Sequence, residues 1–368
     1  MEFKIAAFPG DGVGPEVVDE GINVLRKIGL ATADTFAIEH GSVGGISIDQ
    51  VGVPLPKRSL DIAKGSDAVL FGAVGGPKWD DPRAPHRPED AILGLRKSLG
   101  LFANIRPVKI VPSLVDSSPI KASLLKGVDI VMIRELTGGL YFATPKKRWD
   151  TARGRRGVDT LRYTEQEIAR VLRVGFGIAR RRKKLLTSVD KANVLESSRL
   201  WREIANEVSS EYPDVTLEHA LVDSCAMSLI SNPSHFDVIV AENMFGDILT
   251  DEAAVLSGSL GMLPSASLAG IPRDNAGGRR TMGLYEPIHG TAPDIAGQSK
   301  ANPIAMILSV AFMLRYSLGL AESGQIVEQA VDKVLEEGYR TADIAAEDTK
   351  EIVNTSQMGD LIVDALVL

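Results

Sequence analysis

Short apolar runs alternate with stretches of helical periodicity along this chain, and that alternation restricts the fold more than any other feature. Phe3–Phe8 is an apolar run followed by a glycine-rich turn. Val18, Ile22, Leu25 and Ile28 then recur at the spacing of one helix face, with Pro15 suited to a first helical position. Thr35–Glu39, Ala68–Val74, Leu101–Val108, Val128–Ile133, Leu185–Val189 and Asp237–Ala241 read as further strands. Helices are predicted over 88–99, from the capping box Thr164-Glu165-Gln166-Glu167 to Lys184, and over 194–208, 246–257, 302–318 and 325–337. Strands alternating with helices indicate the α/β class. A chain of 368 residues exceeds what one core usually organises, so two domains are expected.

Composition narrows the function classes. Hydrophobic residues make up 44% and charged residues 24%, a globular balance, and the net charge of −7 disfavours nucleic acid or an anionic membrane as partner. The single cysteine, Cys225, cannot form an internal disulfide or a cysteine-based zinc site. With no recognisable targeting segment, a cytoplasmic location is expected. Gly10-Asp11-Gly12-Val13-Gly14-Pro15 lies between a strand and a helix, but its third glycine comes one residue early for a dinucleotide fingerprint, and Pro15 stands where Gly or Ala is needed. This is therefore not a Rossmann motif. It reads as a tight turn in which Asp11 caps the backbone.

The strongest chemical signal is Asn243-Met244-Phe245-Gly246-Asp247-Ile248-Leu249-Thr250-Asp251. Asp247 and Asp251 are four apart, so on a helix both carboxylates share a face and repel unless a cation lies between them. Hard oxygens of this kind suit Mg²⁺ or Mn²⁺. The competing explanation is a pair of acids favoured near a helix start. Asp223 is a third candidate ligand, or else a helix N-cap, and Cys225 beside it reads as a small buried side chain.

This segment resembles the signature of the isocitrate/isopropylmalate dehydrogenase family. The resemblance extends through Pro9–Pro15, Gly72–Trp79, Arg134–Phe142, Ser188–Leu195, Gly258–Ser267 and Glu286–Ala296. It implies the family's two-domain α/β fold, with one domain joining 1–101 to 258–368, a second over 102–257 carrying a basic arm near 141–157, and the site in the cleft between them. It also implies a homodimer with shared sites, in which Lys191 and Asp223 enter from the second subunit. The implied reaction is NAD-dependent, metal-assisted oxidation of a 2-hydroxy acid with loss of its β-carboxylate as CO2.

Carried over residue by residue, Arg96, Arg106 and Arg134 would bind the substrate carboxylates, as guanidinium forks do. Asp223, Asp247 and Asp251 would hold the metal, with Asp223 also touching substrate. Tyr141 and Lys191 would form the acid–base pair. Gly76, Glu89, Glu286, His289, Gly290, Thr291, Ala292, Asp294 and Asn302 would face the cofactor. Asp294 would accept from ribose hydroxyls and repel a 2′-phosphate, and Ile295 follows where NADP-dependent relatives carry tyrosine, which favours NAD. Glu89, Ile92 and Leu93 would set substrate choice. An apolar pair there suits an isopropyl group, so the expected reaction is oxidative decarboxylation of 3-isopropylmalate to 4-methyl-2-oxopentanoate, a step of leucine biosynthesis.

Three rivals remain in view. Homoisocitrate, tartrate or D-malate could be the substrate, though Ile92-Leu93 disfavours them. A non-catalytic subunit of the same fold should have lost site residues, and none is lost. Arg180-Arg181-Arg182-Lys183-Lys184 could bind nucleic acid, but no aromatic platform accompanies it, and a run of cations complementing a helix C-terminus is the preferred reading. The loop 269–283, with Arg273, Arg279 and Arg280, has no assigned role.

Overall fold

The computed structural model describes residues 1–81, 83–271, 281–347 and 349–367. The loop arginines Arg273, Arg279 and Arg280 lie outside the described residues. The strands in chain order are β1 (Glu2–Gly10), β2 (Thr35–His40), β3 (Ala68–Ala73), β4 (Ala103–Lys109), β5 (Asp129–Glu135), β6 (Lys147–Thr151), β7 (Gly154–Val158), β8 (Leu185–Asp190), β9 (Thr216–Leu221), β10 (Val238–Ala241), β11 (Pro264–Leu268), β12 (Gly283–Pro287), β13 (Tyr339–Arg340) and β14 (Glu351–Ile352).

The chain divides into two compact units. The first comprises Met1–Leu101, Ile110–Ala122 and Ala254–Leu368, and the second Phe102–Lys109 and Ser123–Ala253. The segment 110–122 thus belongs with the first unit, where Arg340 Nη2 donates to the Ser113 carbonyl at 3.0 Å and Ser117 Oγ to the Ile344 carbonyl at 3.2 Å.

In the first unit the strand order is β2-β1-β3-β12-β11, parallel except for the antiparallel pair β11–β12. β3 is buried along its whole length, as expected of a strand covered on both faces. Helices Gly14–Thr32 and Ile304–Tyr316 supply much of the cover, the second with residues 304–307 and 309–314 buried. The turn after β1 is a junction. Asp11, nearly fully buried, accepts from the Gly45 and Ile46 amides at 2.7 Å each and from Gly75 at 2.9 Å. The glycine between is required twice over. Gly12 has φ +59°, and a Cβ there would lie 2.1 Å from the Thr291 carbonyl oxygen. Asp11 therefore caps backbone, as read from the sequence, but it ties three segments rather than one turn.

The second unit has the order β4-β5-β10-β8-β9, with β4–β5 antiparallel and the rest parallel. Helices Glu165–Ala179 and Glu196–Ser209 pack on it. The predicted capping box is present, with Thr164 Oγ1 accepting from the Glu167 amide and Glu167 reaching back to the Thr164 amide. That helix ends at Ala179, earlier than expected. The basic run begins at its C-cap, Arg180, and also has specific partners. Arg180 pairs with Asp214, and Arg182 with Asp129 and the buried Asp237, so local carboxylates hold these cations in place. The arm is the exposed antiparallel hairpin β6–β7.

Candidate active site

The carboxylates of the acidic motif lie on helix Asn243–Ala254, and neither is in its first turn. The helix-start explanation therefore fails, because the dipole acts only within that turn. Both acids face arginines from the paired strands β4 and β5. Arg134 Nη1 pairs with Asp247 Oδ1, while Arg106 Nη1 reaches Thr250 Oγ1 at 2.9 Å and Asp251 Oδ1 at 3.4 Å. Gly246 permits this approach: a Cβ there would lie 2.8 Å from Arg134 Cβ. The Tyr141 hydroxyl donates to Asp247 Oδ2 at 3.0 Å. Partial burial and the Asp247 charge raise the Tyr141 pKa, so its proton is retained at neutral pH.

Lys191 and Asp223 form a separate pair in the same unit, at 2.7 Å. Asp223 lies in the first turn of helix Val222–Ser231, whose N-cap is Leu221, so it is not the cap. Its hydrogen bond from Lys191 holds the carboxyl below the usual range. Among the described residues, no three His, Cys, Asp or Glu side chains of a single chain are grouped to hold a metal. Cys225 is buried and its thiol is pushed up to about 12 by burial, so it is a packing residue and no nucleophile.

The remaining candidates lie in the first unit. Arg96 Nη2 donates to Glu286 Oε1 at 2.8 Å, while its buried Nε has no partner among the described residues. Ile92 packs against the core cluster around Phe71 and Leu95, whereas Leu93 is exposed. Both were expected to line one pocket; Ile92 is partly buried, and Leu93 is the more accessible of the two. Glu89 precedes helix Asp90–Ser98 and approaches Gly75, whose added Cβ would lie 3.3 Å from Glu89 Oε1. Gly76 has φ +148° in that loop.

The 286–302 stretch is anchored by Thr291, whose carbonyl accepts from the Val13 amide at 2.9 Å. Gly290 borders open space, and Ala292 holds φ +38°. The Asp294 carboxylate is exposed and makes no side-chain hydrogen bond among the described residues. Asn302 Nδ2 donates to Asp343 Oδ2 at 3.1 Å. His289 Nδ1 lies 2.9 Å from the Gly290 carbonyl oxygen, which can only accept, so Nδ1 carries the proton and the unpartnered Nε2 is an acceptor.

Burial lowers the His289 pKa below its ordinary 6.5. The folded state favours neutral imidazole, so this stabilisation is present above pH 6.5 and lost as pH falls from 6.5 through the folded value. Tm should therefore drop between pH 7.5 and 5.5 more steeply in the wild type than in His289→Gln; parallel pH curves would exclude the effect.

Sequence reading missed Asn104, Asn243, Thr250, Glu242 and Tyr163, which are buried around the arginines and the acidic helix. One signal was available: Asn243 precedes Asp247 by four residues, as Asp247 precedes Asp251.

The isocitrate/isopropylmalate dehydrogenase family matches residues 4–362. A 3-isopropylmalate dehydrogenase of Dehalococcoides mccartyi is 59% identical over 98% of each chain. One from Carboxydothermus hydrogenoformans is 54% identical, covering 99% of this chain and 95% of its own. The crystal structure of an isocitrate dehydrogenase from Methylococcus capsulatus superposes with a TM-score of 0.84 at 33% identity, covering 99% of both chains. Among the described residues no helix is long and apolar enough to cross a membrane. With a match along nearly its whole length, this chain belongs to the isocitrate/isopropylmalate dehydrogenase family.

Proposed function

We propose that this chain oxidatively decarboxylates 3-isopropylmalate to 4-methyl-2-oxopentanoate and CO2, with NAD as oxidant and Mg²⁺ or Mn²⁺ as the resident cation, in leucine biosynthesis. The observation that carries the reading is the grouping of Arg106, Arg134, Tyr141, Asp247 and Asp251 in one unit. Asp247 and Asp251 present hard oxygens from one helix face, which fits a divalent cation. The acceptor Nε2 of His289 and the open Asp294 carboxylate fit the amino and hydroxyl donors of an adenine nucleoside.

When bound, the cation would polarise the substrate hydroxyl and the later carbonyl, and NAD would accept the hydride from carbon 2. The chain's own residues do the rest. Arg96, Arg106 and Arg134 hold the carboxylates; Lys191 takes the hydroxyl proton. Tyr141, whose phenol is a proton donor, returns one to the carbon left after CO2 departs. Leu93 meets the isopropyl group. A panel of 2-hydroxy acids with NAD and Mn²⁺ tests this: NADH should form fastest from 3-isopropylmalate. Robust turnover of another acid with none from 3-isopropylmalate would overturn the assignment, and a higher kcat/KM with NADP would overturn the choice of NAD.

Asp223 completes the metal site from a second copy in this reading, in a cytoplasmic homodimer. Exposed Met227 and Ile248, at 73% and 59%, lie on the helices that carry Asp223 and Asp247 and support an apolar interface there. Ile248→Glu should give a monomer by light scattering and lower turnover by more than about 10-fold, since a shared site needs both copies. An active monomer would refute the shared site.

A further inference from the structure

Two arginines of the second unit, Arg106 and Arg134, are held from behind by asparagines. Arg106 Nε donates to Asn104 Oδ1 at 2.7 Å, and Arg134 Nε to Asn243 Oδ1 at 2.9 Å. Asn104 is 0% exposed and Asn243 is 1% exposed. A guanidinium only donates, so the amide end meeting Nε must be the oxygen. The other end of Asn243 is then a donor, and Nδ2 reaches the Gly138 carbonyl at 3.1 Å. Gly138 immediately precedes the turn Gly139–Tyr141.

Asn243, Asp247 and Asp251 share one face of their helix. Arg134 is therefore gripped at Nε by Asn243 and at Nη1 by Asp247, one helical turn apart. Asn243 is itself fixed. Its backbone N–H donates to the Tyr163 hydroxyl at 2.9 Å; that hydroxyl donates to Glu242 Oε2 at 3.1 Å; and Glu242 Oε1 accepts from the Phe245 backbone N–H at 3.0 Å.

We propose that Asn243 is a positioning residue, one amide that sets both the plane of the Arg134 guanidinium and the place of the Tyr141 turn. The inference rests on the proposed roles of Arg134 as carboxylate ligand and Tyr141 as proton donor. The two ends are separable by substitution. Asn243→Asp keeps an acceptor for Arg134 Nε but sets a carboxylate oxygen against the Gly138 carbonyl. Asn243→Ala removes both bonds.

The test is steady-state kinetics with 3-isopropylmalate, NAD and Mn²⁺, with thermal melts of each protein. Asn243→Asp should keep KM for 3-isopropylmalate within about threefold of wild type while kcat falls about 10-fold or more. Asn243→Ala should raise that KM about 10-fold as well as lowering kcat, and KM for NAD should stay within about twofold in both. Wild-type kcat in Asn243→Asp overturns the proposal, as does a KM for NAD that rises with KM for 3-isopropylmalate, the mark of general loosening. If Asn243→Ala does not fold, Asn243→Asp decides; if the near-isosteric variant also lacks a cooperative melt, Asn243 serves the fold and the proposal fails. A wild type inactive on 3-isopropylmalate refutes the substrate reading separately, and the same variants are then judged on the acid that is turned over.

Discussion

Asp251→Asn should fold and melt like the wild type yet lose about 10³-fold in kcat/KM, or about 4 kcal/mol of transition-state stabilisation. The two halves of this expectation come from different observations. The Asp251 side chain is 68% exposed and its ion pair with Arg106 is long at 3.4 Å. The buried Arg106 keeps Asn104 Oδ1 at 2.7 Å and Thr250 Oγ1 at 2.9 Å when this long pair is lost, so the fold has little to lose. The carboxamide keeps the shape but gives up the charge that a divalent cation requires. NADH formation across a Mn²⁺ titration measures the effect, which should include a raised apparent Kd for the ion. Near-normal turnover at all Mn²⁺ concentrations would remove Asp251 from the site.

Asp11→Ala should do the opposite, destabilising the first unit by about 3–5 kcal/mol. Three backbone amides, of Gly45, Ile46 and Gly75, lose their acceptor at once. Leaving one buried donor unsatisfied costs about 1–3 kcal/mol, and the three are not fully additive. Amide exchange at Gly45, Ile46 and Gly75 should accelerate, and the urea midpoint should fall. Gly75 directly precedes the segment 76–89, which resembles a cofactor-facing loop, so KM for NAD should rise more than KM for 3-isopropylmalate. A loss below about 1 kcal/mol would show that water replaces the carboxylate at little cost.

Much of the architecture was legible because periodicity carries it. The run Phe3–Phe8, the helical spacing from Val18 to Ile28 and the capping box at Thr164 are local patterns, and each produced the expected element. A helix carrying Asp247 and Asp251 was legible for the same reason and its spacing placed both on one face, but its bounds were not: expected over 246–257, it runs Asn243–Ala254. Less legible were positions whose meaning depends on a distant strand. Segment 110–122 joins the first unit through contacts with Ser113 and Ser117 that no local pattern announces. The cations at 180–184 looked like helix-end charges, and their partners Asp129, Asp214 and Asp237 come from three other places in the chain. Ile92 and Leu93 are neighbours in sequence, but on a helix they point about 100° apart, so Ile92 is partly buried against the core while Leu93 is more exposed.

The sequence by itself determined the α/β class and the acidic helix face, because spacing and residue type are local properties, and it supplied the charged side chains proposed for this chemistry. Only the tertiary structure decided which partner each charge meets. Antiparallel pairing of β4 with β5 puts Asn104 opposite Arg134, and the helix that follows β10 brings Asn243 and Asp247 to the same guanidinium. Such neighbours are set by strand order and register, so a buried amide that orients an arginine is visible only once the sheet is assembled.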